Sequence, residues 1–559
     1  MKKLNYILIA AFLSILLAGC ADDFLERPPK DQIVANTFYK TDEEVLAATA
    51  LLYNRVWFDY NDKASYNLGD FRAGTAFSAY SDRDNVEFNT TANTENNGYA
   101  WRSFYNVVGQ ANTAIKNINQ YAGPDVSEEI KRYAIAEARF MRALAYRFLV
   151  MNWGAVPIIT NNATLLTDTT QTRHSEKSVW KFITREMRAV ANDLPETPVD
   201  VGRLHKWAAE GMLARFYLTR AGVDAGPGSR NQSFLDSAKY YAKRVIDLSD
   251  AKLLANYDDL FLFPYDNKPE SLFSLQWYYS GSTDWGTQNS TPAYLAFSPS
   301  IANGDGYGGD KGATLWMLEQ YDGLIANGKT VDKRLKTTFM LAGAHYPEIT
   351  QTILDQNGDP KDQELIVPYL NESRNYAYIK KYVTGQAKDN GGEAFKQRYG
   401  HDTYMMRLAE MYLTYVEADR GNNLFAANPL SMEYFNAVHT RAGLPEVTVP
   451  DSLHEETIFK ERIIEFAMEG MAWYDFVSLY YYNPQKAFDK ISNQDRGLYK
   501  VTPNQFPDPT SWTIEPTPWD NNRKFVAYEG NFRIPIPATE KLQAPNLAKE
   551  PIEYDFGDE

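Results

Sequence analysis

The stretch Arg407-Leu408-Ala409-Glu410-Met411-Tyr412-Leu413-Thr414-Tyr415-Val416-Glu417-Ala418 decides how the fold is read. The pattern predicts a helix over 403–420, in which Met405, Leu408, Met411, Tyr412, Tyr415 and Val416 recur at helical spacing as one apolar stripe. Arg407, Glu410 and Glu417 fall on a polar stripe and read as ion-pairing groups.

Working outward, the same signal returns at 430–441 and at 455–475, where Phe459, Ile463, Phe466, Ala467 and Gly470 share a face. On the N-terminal side, Thr41 starts a helix with Glu43 and Glu44 in its first turn, and Val45, Ala48, Leu52 and Val56 follow at helical spacing. Phe104, Val108, Ala111, Ile115 and Ile118 mark a second helix, stopped by Gly123-Pro124. Ser127 caps a third that runs to Trp153-Gly154, and further helices cover 176–193, Arg203–Arg220 and Phe234–Leu248. Short connections and inward alanines suit closely packed antiparallel pairs. The expected fold is mainly α: a tetratricopeptide-like helical scaffold over about 37–250 and 403–480, with a large irregular insertion of loops and short strands.

Three segments break the helical pattern. Residues 58–98 are rich in Asp, Asn, Gly, Thr, Ser and Tyr and read as long loops with short strands. Residues 250–402 carry β-like runs at Ser271–Tyr279 and Tyr376–Val383 and a Gly-rich loop from Asn303 to Gly309. Residues 481–559 read as loop-rich, Pro-rich over 483–530, and close on Phe532-Arg533-Ile534-Pro535-Ile536-Pro537. Loops on a rigid scaffold commonly carry function, so 58–98 and 250–402 are the expected ligand face.

The net charge of −15 and the lack of a basic stripe argue against nucleic acid as a partner. Six scattered histidines form no HxxxH or HExxH pair, so a zinc site is not expected, and no cofactor is called for. Aromatics reach 14%, with 38 Tyr and 11 Trp, a surplus that suits a surface for stacking on ligands.

The first twenty residues carry a separate message. Met1-Lys2-Lys3 is cationic, Leu4–Leu16 is almost wholly apolar, and Leu17-Ala18-Gly19 leads into Cys20, the only cysteine. This resembles a bacterial lipobox rather than a plain secretory signal, with residues 1–19 removed and Cys20 acylated. About 13 apolar residues are too few to span a bilayer. Loss of Lys2 and Lys3 would bring the charge to −17. Dual acylation would hold residues 20–559, read as a single domain, on a membrane.

Seven stretches, in order, resemble the SusD/RagB family of outer-membrane nutrient-binding lipoproteins. They are Phe24-Leu25-Glu26 with Pro28 and Phe38-Tyr39-Lys40-Thr41, then Asn152-Trp153-Gly154-Ala155-Val156-Pro157, then the 407–418 helix. Asn436 with Arg441-Ala442-Gly443-Leu444-Pro445 follows, then Glu461-Arg462, Glu465 and Glu469-Gly470, then Trp473-Tyr474-Asp475. Last come Ile534-Pro535-Ile536-Pro537, Glu540 and Asn546-Leu547. Ala155, Ala472 and Val477-Ser478 depart from the family pattern and read as lost local salt bridges of modest stability value. The resemblance implies a lipoprotein at the outer membrane, and Asp22, Asp23 and Glu26 behind the cysteine resemble signals for export to the cell exterior. It also implies an oligosaccharide ligand, or a peptide in the RagB branch, and a SusC-like TonB-dependent transporter as partner.

Within that frame the ligand candidates fall in two places. Gln276–Phe297 holds Trp277, Tyr278, Trp285 and Tyr294 among Asp284, Gln288 and Asn289: flat aromatic faces for sugar C–H faces, amides and carboxylates for hydroxyls. Alternation along Ser271–Tyr279 would instead put Trp277 and Tyr279 in a strand's core. Asp70–Asn85 holds Asp70, Arg72, Tyr80 and Asp82, and reads either as ligand loop or as solvated loop. The alternative classes are a surface glycoside hydrolase and a structural lid with little ligand contact of its own. A hydrolase needs two carboxylates flanking a bond about 5–9 Å apart, whereas Glu461, Glu465 and Glu469 line one helix face beside Arg462 and read as ion pairs. Asp355, Asn357 and Asp359 have the spacing of a calcium loop, but Pro360 stands where the turn glycine belongs, which favours a plain hairpin tip.

Overall fold

The computed structural model describes residues 37–166, 170–263, 266–281, 285–369 and 376–557. Cys20 and the segment before it lie outside the described residues, as does Asp284.

Eleven of its longer helices carry the scaffold: α1 (Asp42–Ala50), α2 (Glu95–Tyr121), α3 (Glu128–Trp153), α4 (Glu176–Asp193), α5 (Lys206–Val223), α6 (Gln232–Leu248), α7 (Leu408–Arg420), α8 (Pro429–Arg441), α9 (Glu455–Phe466), α10 (Ala472–Tyr482) and α11 (Pro484–Ser492). Two of the starts, after Thr41 and Ser127, follow the caps expected from the sequence. Thr41 Oγ1 accepts from the Glu44 amide while Glu44 accepts from the Thr41 amide, closing a capping box on α1. Ser127, Ser175 and Asn231 accept from the amides three residues on, opening α3, α4 and α6. α3 ends where Gly154 takes φ +72°, a conformation that suits glycine. α2 to α6 pack each on the next, and α6 then packs on α7 across the intervening insertion. α3 is buried nearly all round from Tyr133 to Trp153 and forms the central rod of the core.

The insertion is tied to the scaffold at its own ends. Strand Ser271–Leu275 pairs antiparallel with Thr403–Arg407, Thr403 facing Leu275 and Arg407 facing Ser271. A second pair, Ala76–Ser78 with Lys311–Ala313, joins the insertion to the segment after α1, with Ser78 facing Lys311.

Several expectations change. Residues 58–98 are not mostly loop: wide helical turns at Tyr60–Ala64 and Asn67–Phe71 are buried and lead into strand Ala76–Ser78. A Cβ on Gly69 would land on the Gly470 backbone, so this segment presses directly on the turn between α9 and α10. That turn splits the expected 455–475 helix, with Met468 at φ +63° and Gly470 at φ +72°. Periodicity ran through the break because Phe466, Ala467 and Met468 are all buried on both sides of it. Residues 483–530 contain α11 and a hairpin, Tyr499–Pro503 with Trp512–Pro516, rather than loop alone. In the run Tyr376–Val383 only Tyr378–Ile379 is strand. The closing Ile534-Pro535 segment meets the Asn152-Trp153 motif directly: the Ile534 amide donates to Asn152 O at 2.9 Å, and Trp153 Nε1 to Pro535 O at 3.3 Å.

Arg407, Glu410 and the three glutamates do pair, but inside the molecule. Arg407 is 1% exposed and reaches Glu270, Glu465 and Glu469 at 2.7–3.0 Å. Arg334 holds Glu461 and Glu465, Arg441 holds Glu270 and Glu465, and Arg215 holds Glu410. Arg462 does not pair with Glu465 as spacing suggested; it turns to Asp475 at 2.7 Å. In so enclosed a network, removal of one member leaves an uncompensated buried charge.

Candidate ligand-binding cleft

The strand pair Ala76–Ser78 and Lys311–Ala313 brings two distant chain segments to one edge. The Ala79 amide donates to Asp310 O at 2.7 Å, which places Tyr80, Ser81 and Asp82 beside Asp310 and Lys311. A short helix, Thr291–Leu295, packs beneath them. The Gly-rich run lies across that helix: the Tyr307 amide donates to Ala293 O at 3.1 Å and the Gly308 amide to Ala296 O at 2.7 Å. A side chain on Gly308 would strike the Leu295 carbonyl, so a glycine is required for Tyr307 to sit where it does.

Between these segments opens a cleft of about 600 Å³, lined by Lys63, Tyr80, Ser81, Asp82, Tyr294, Tyr307, Gly309, Asp310 and Lys311. Tyr80 is 62% exposed and Tyr307 38%, so both present ring surface at the rim. Tyr294 is buried and forms the floor, edge-on to Tyr307 at 5.8 Å between centroids.

The polar groups are held before any ligand arrives. Tyr294 donates its hydroxyl to Asp82 Oδ2 at 2.8 Å, and Asn96 donates to Asp82 Oδ1 at 2.8 Å. Ser78 and Ser81 each donate to Asp310 Oδ2 at 2.8 Å. Lys311 Nζ lies 2.7 Å from Asp310, 3.8 Å from Asp82 and 4.6 Å above the Tyr294 ring. Burial pushes the Asp310 carboxyl up, but Lys311 and the two serines outweigh it and hold it at about 2. Burial raises the Tyr294 and Tyr307 phenols above their ordinary range, so both stay neutral donors. The arrangement offers aromatic edges and fixed hydroxyl, carboxylate and ammonium groups within one concavity, suited to a hydroxyl-rich ligand.

Tyr80, Asp82 and Tyr294, from the two segments singled out in the sequence, meet here. Others do not. Trp277 is 4% exposed and donates Nε1 to Thr403 Oγ1 at 3.1 Å, so it is core. Asn289 is buried, donating to His401 O at 2.7 Å and accepting from Asn61 at 2.9 Å. Asp70 is buried and accepts from Thr75, Met468 N and Gly470 N, which makes it an anchor for the turn after α9. Arg72 is buried over the Trp473 ring at 4.4 Å. These placements share one cause: the Asp70, Arg72, Trp277 and Asn289 side chains are packed into the interior rather than presented at the cleft. Tyr278 is 54% exposed but does not line this cleft. Trp285 starts a short helical turn, Trp285–Thr287, and its side chain lies outside the described residues. Asp355, Asn357 and Asp359 form the tip of the hairpin His345–Leu354 with Pro360–Ile366, where Asp355 Oδ1 accepts from the amides of Asn357 and Asp359. Sequence reasoning missed Tyr307, Lys63, Asp310 and Lys311. The available signal was an aromatic residue inside the glycine run 304–309.

Comparison with known proteins places the chain in a family. The SusD family model matches residues 269–552, and a second model, starch-binding associating with outer membrane, matches residues 23–218. A SusD-like protein of Bacteroides ovatus is 34% identical over 99% of this chain and 98% of its own length. SusD-like protein P25 of Formosa agariphila is 24% identical over 85% of this chain and 90% of its own. A crystal structure with a xylogluco-oligosaccharide superposes at TM-score 0.80 with 32% identity, covering 92% of this chain and 100% of that one. A carbohydrate-binding SusD-like protein of Bacteroides fragilis shares the fold at TM-score 0.69 and 21% identity, covering 91% of this chain and 100% of that one. This chain belongs to the SusD family. Among the described residues no helix is long and apolar enough to cross a membrane.

Proposed function

We propose that this chain is a surface lipoprotein that captures oligosaccharides in the Tyr80–Tyr307 cleft and passes them, chemically unchanged, to a SusC-like TonB-dependent transporter. Cys20 would carry the acyl anchor to the outer membrane, with the body facing the exterior. The observation that carries the reading is the pairing of two rim tyrosines with a preset polar floor of Asp82, Asp310 and Lys311. Such a site grips sugar rings by their C–H faces and orients their hydroxyls, at modest affinity that permits release. The family and the 32% identical relative with a bound xylogluco-oligosaccharide support a glycan over a peptide. Tyr278, Trp285 and Asp284 are proposed as outlying contacts for longer chains.

A hydrolase fits the same cleft poorly. One carboxyl would have to be held protonated near neutrality to act as general acid. Asp310 is held at about 2, and Asp82 is committed to Tyr294, Asn96 and Lys311. The test is a glycan and peptide array on residues 21–559, followed by incubation of any bound glycan with the protein. Binding without new reducing ends supports capture; peptide-only binding supports the RagB-like cargo; new reducing ends support a hydrolase.

A further inference from the structure

Beneath the cleft's scaffold lies a small internal cavity of about 20 Å³, where α3, α5, α7, α9, α10 and strand Thr403–Arg407 converge. That is room for one water or one monatomic ion. Its charged lining falls into pairs with one member left over. Arg215 is held by Glu410 and donates to Met405 O at 2.9 Å. Arg462 is held by Asp475 at 2.7 Å, with Glu417 further off at 3.7 Å and itself shared with Arg230. Arg407 is held by Glu469 at 2.7 Å on the cavity side, and by Glu270 and Glu465, which do not line the cavity, at 2.7 and 3.0 Å. Arg147 has no acidic partner within 4.0 Å among the described residues; its guanidinium lies over the Tyr474 ring at 4.7 Å.

Arg147 is 4% exposed and Arg462 6%. Arg147 Nε and Nη1 and Arg462 Nη1 are buried and make no hydrogen bond within the described protein. Three guanidinium nitrogens, with five N–H groups between them, carry a large penalty if buried without acceptors. Burial pulls Arg147 down to about 10, which leaves it cationic at neutral pH. A water has two lone pairs and two protons of its own to place, and it cancels no charge. A monatomic anion accepts from every donor and balances the odd cation.

We propose that this cavity is a binding site for a single halide, chloride under ordinary conditions, held by Arg147 and Arg462. The ion would lock α3 to α9, two helices of the scaffold 315 residues apart at these positions, and so act as a structural ligand independent of glycan capture.

The deciding experiment is diffraction at the bromine absorption edge from crystals of the protein grown in sodium bromide. The expected result is an anomalous peak inside the cavity, in contact with the Arg147 and Arg462 guanidiniums. Bromide peaks on the surface with none in the cavity would overturn the proposal, because water or nothing then fills it. In solution, Tm should rise by about 1–3 °C on replacing gluconate with chloride at constant ionic strength. The increment should vanish in Arg147→Met. Equal Tm in the two salts would also overturn the proposal, and the crystal measurement stands if Arg147→Met fails to fold.

Discussion

The Tyr294 hydroxyl donates to Asp82 Oδ2 at 2.8 Å across 212 residues of chain. This bond joins the loop that follows the first helix to the floor of the insertion, and it sets the direction in which Asp82 faces the cleft. Tyr294→Phe keeps the ring beneath Lys311 and removes only the donor. The expected cost is about 1.5–3 kcal/mol of stability, the range for a hydrogen bond to a charged group. Glycan affinity should fall as well, by less than on loss of a rim tyrosine. Urea denaturation and calorimetric titration of the same variant check both.

Charge in the cleft predicts which glycans enter. Lys311 is committed to Asp310 and Asp82, and Lys63 lies 3.9 Å from Asp62. A uronate would therefore meet carboxylates with few available cations. Neutral oligosaccharides should bind at least about tenfold more tightly than uronate-bearing ones of equal length, a difference of about 1.4 kcal/mol. Affinity for the neutral ligand should change little between low and high salt, because no net ion pairing drives it.

The buried ion network predicts a specific acid limb. Burial raises Glu465, but Arg441, Arg407 and Arg334 hold it down to about 2; Glu461 is likewise lowered against its burial, by Arg334 and His439. A depressed folded pKa contributes stability that is present above the unfolded value, about 4.5, and is lost as pH falls toward about 2. Asp70 has the opposite sign: burial raises it to about 6, so its contribution is full below about 4 and is lost as pH rises through 6. Glu465→Gln should lower stability at pH 7 and flatten the decline below pH 4.5. Urea midpoints from pH 3 to 7 for both proteins measure this.

Gly69 offers a packing test. A methyl group there meets the Gly470 backbone, whose φ of +72° leaves it little freedom to move. Gly69→Ala should cost about 1–3 kcal/mol or more through overpacking. Because Lys63 and Asp82 lie on either side of Gly69 in sequence, glycan binding should weaken in the folded fraction too, read by titration below the Tm.

Helix content and order were legible because caps and stops act locally. Thr41, Ser127 and the 176–193 limits carry their own signals, and those helices stand where the pattern puts them. The 455–475 break was not legible, because its cause lies 400 residues away: Asp70 accepts from the Met468 and Gly470 amides and stabilises a turn that periodicity alone would not place. The same limit governs the site. Composition marked both loops as polar and aromatic, yet polar groups such as Asn289 and Asp70 find their hydrogen-bond partners inside the fold, which no local signal distinguishes from a ligand contact. Tyr80, Asp82 and Tyr294 were legible as candidates, while their meeting depended on the pairing of Ser78 with Lys311.

The most direct measurement is calorimetric titration of a bound oligosaccharide into the wild-type protein, Tyr80→Ala and Tyr307→Ala, with Tm recorded for each. The account predicts that affinity falls at least about tenfold in both variants, with Tm changed little because both rings sit at the rim. Wild-type affinity in both would contradict it and move the binding face elsewhere on the molecule.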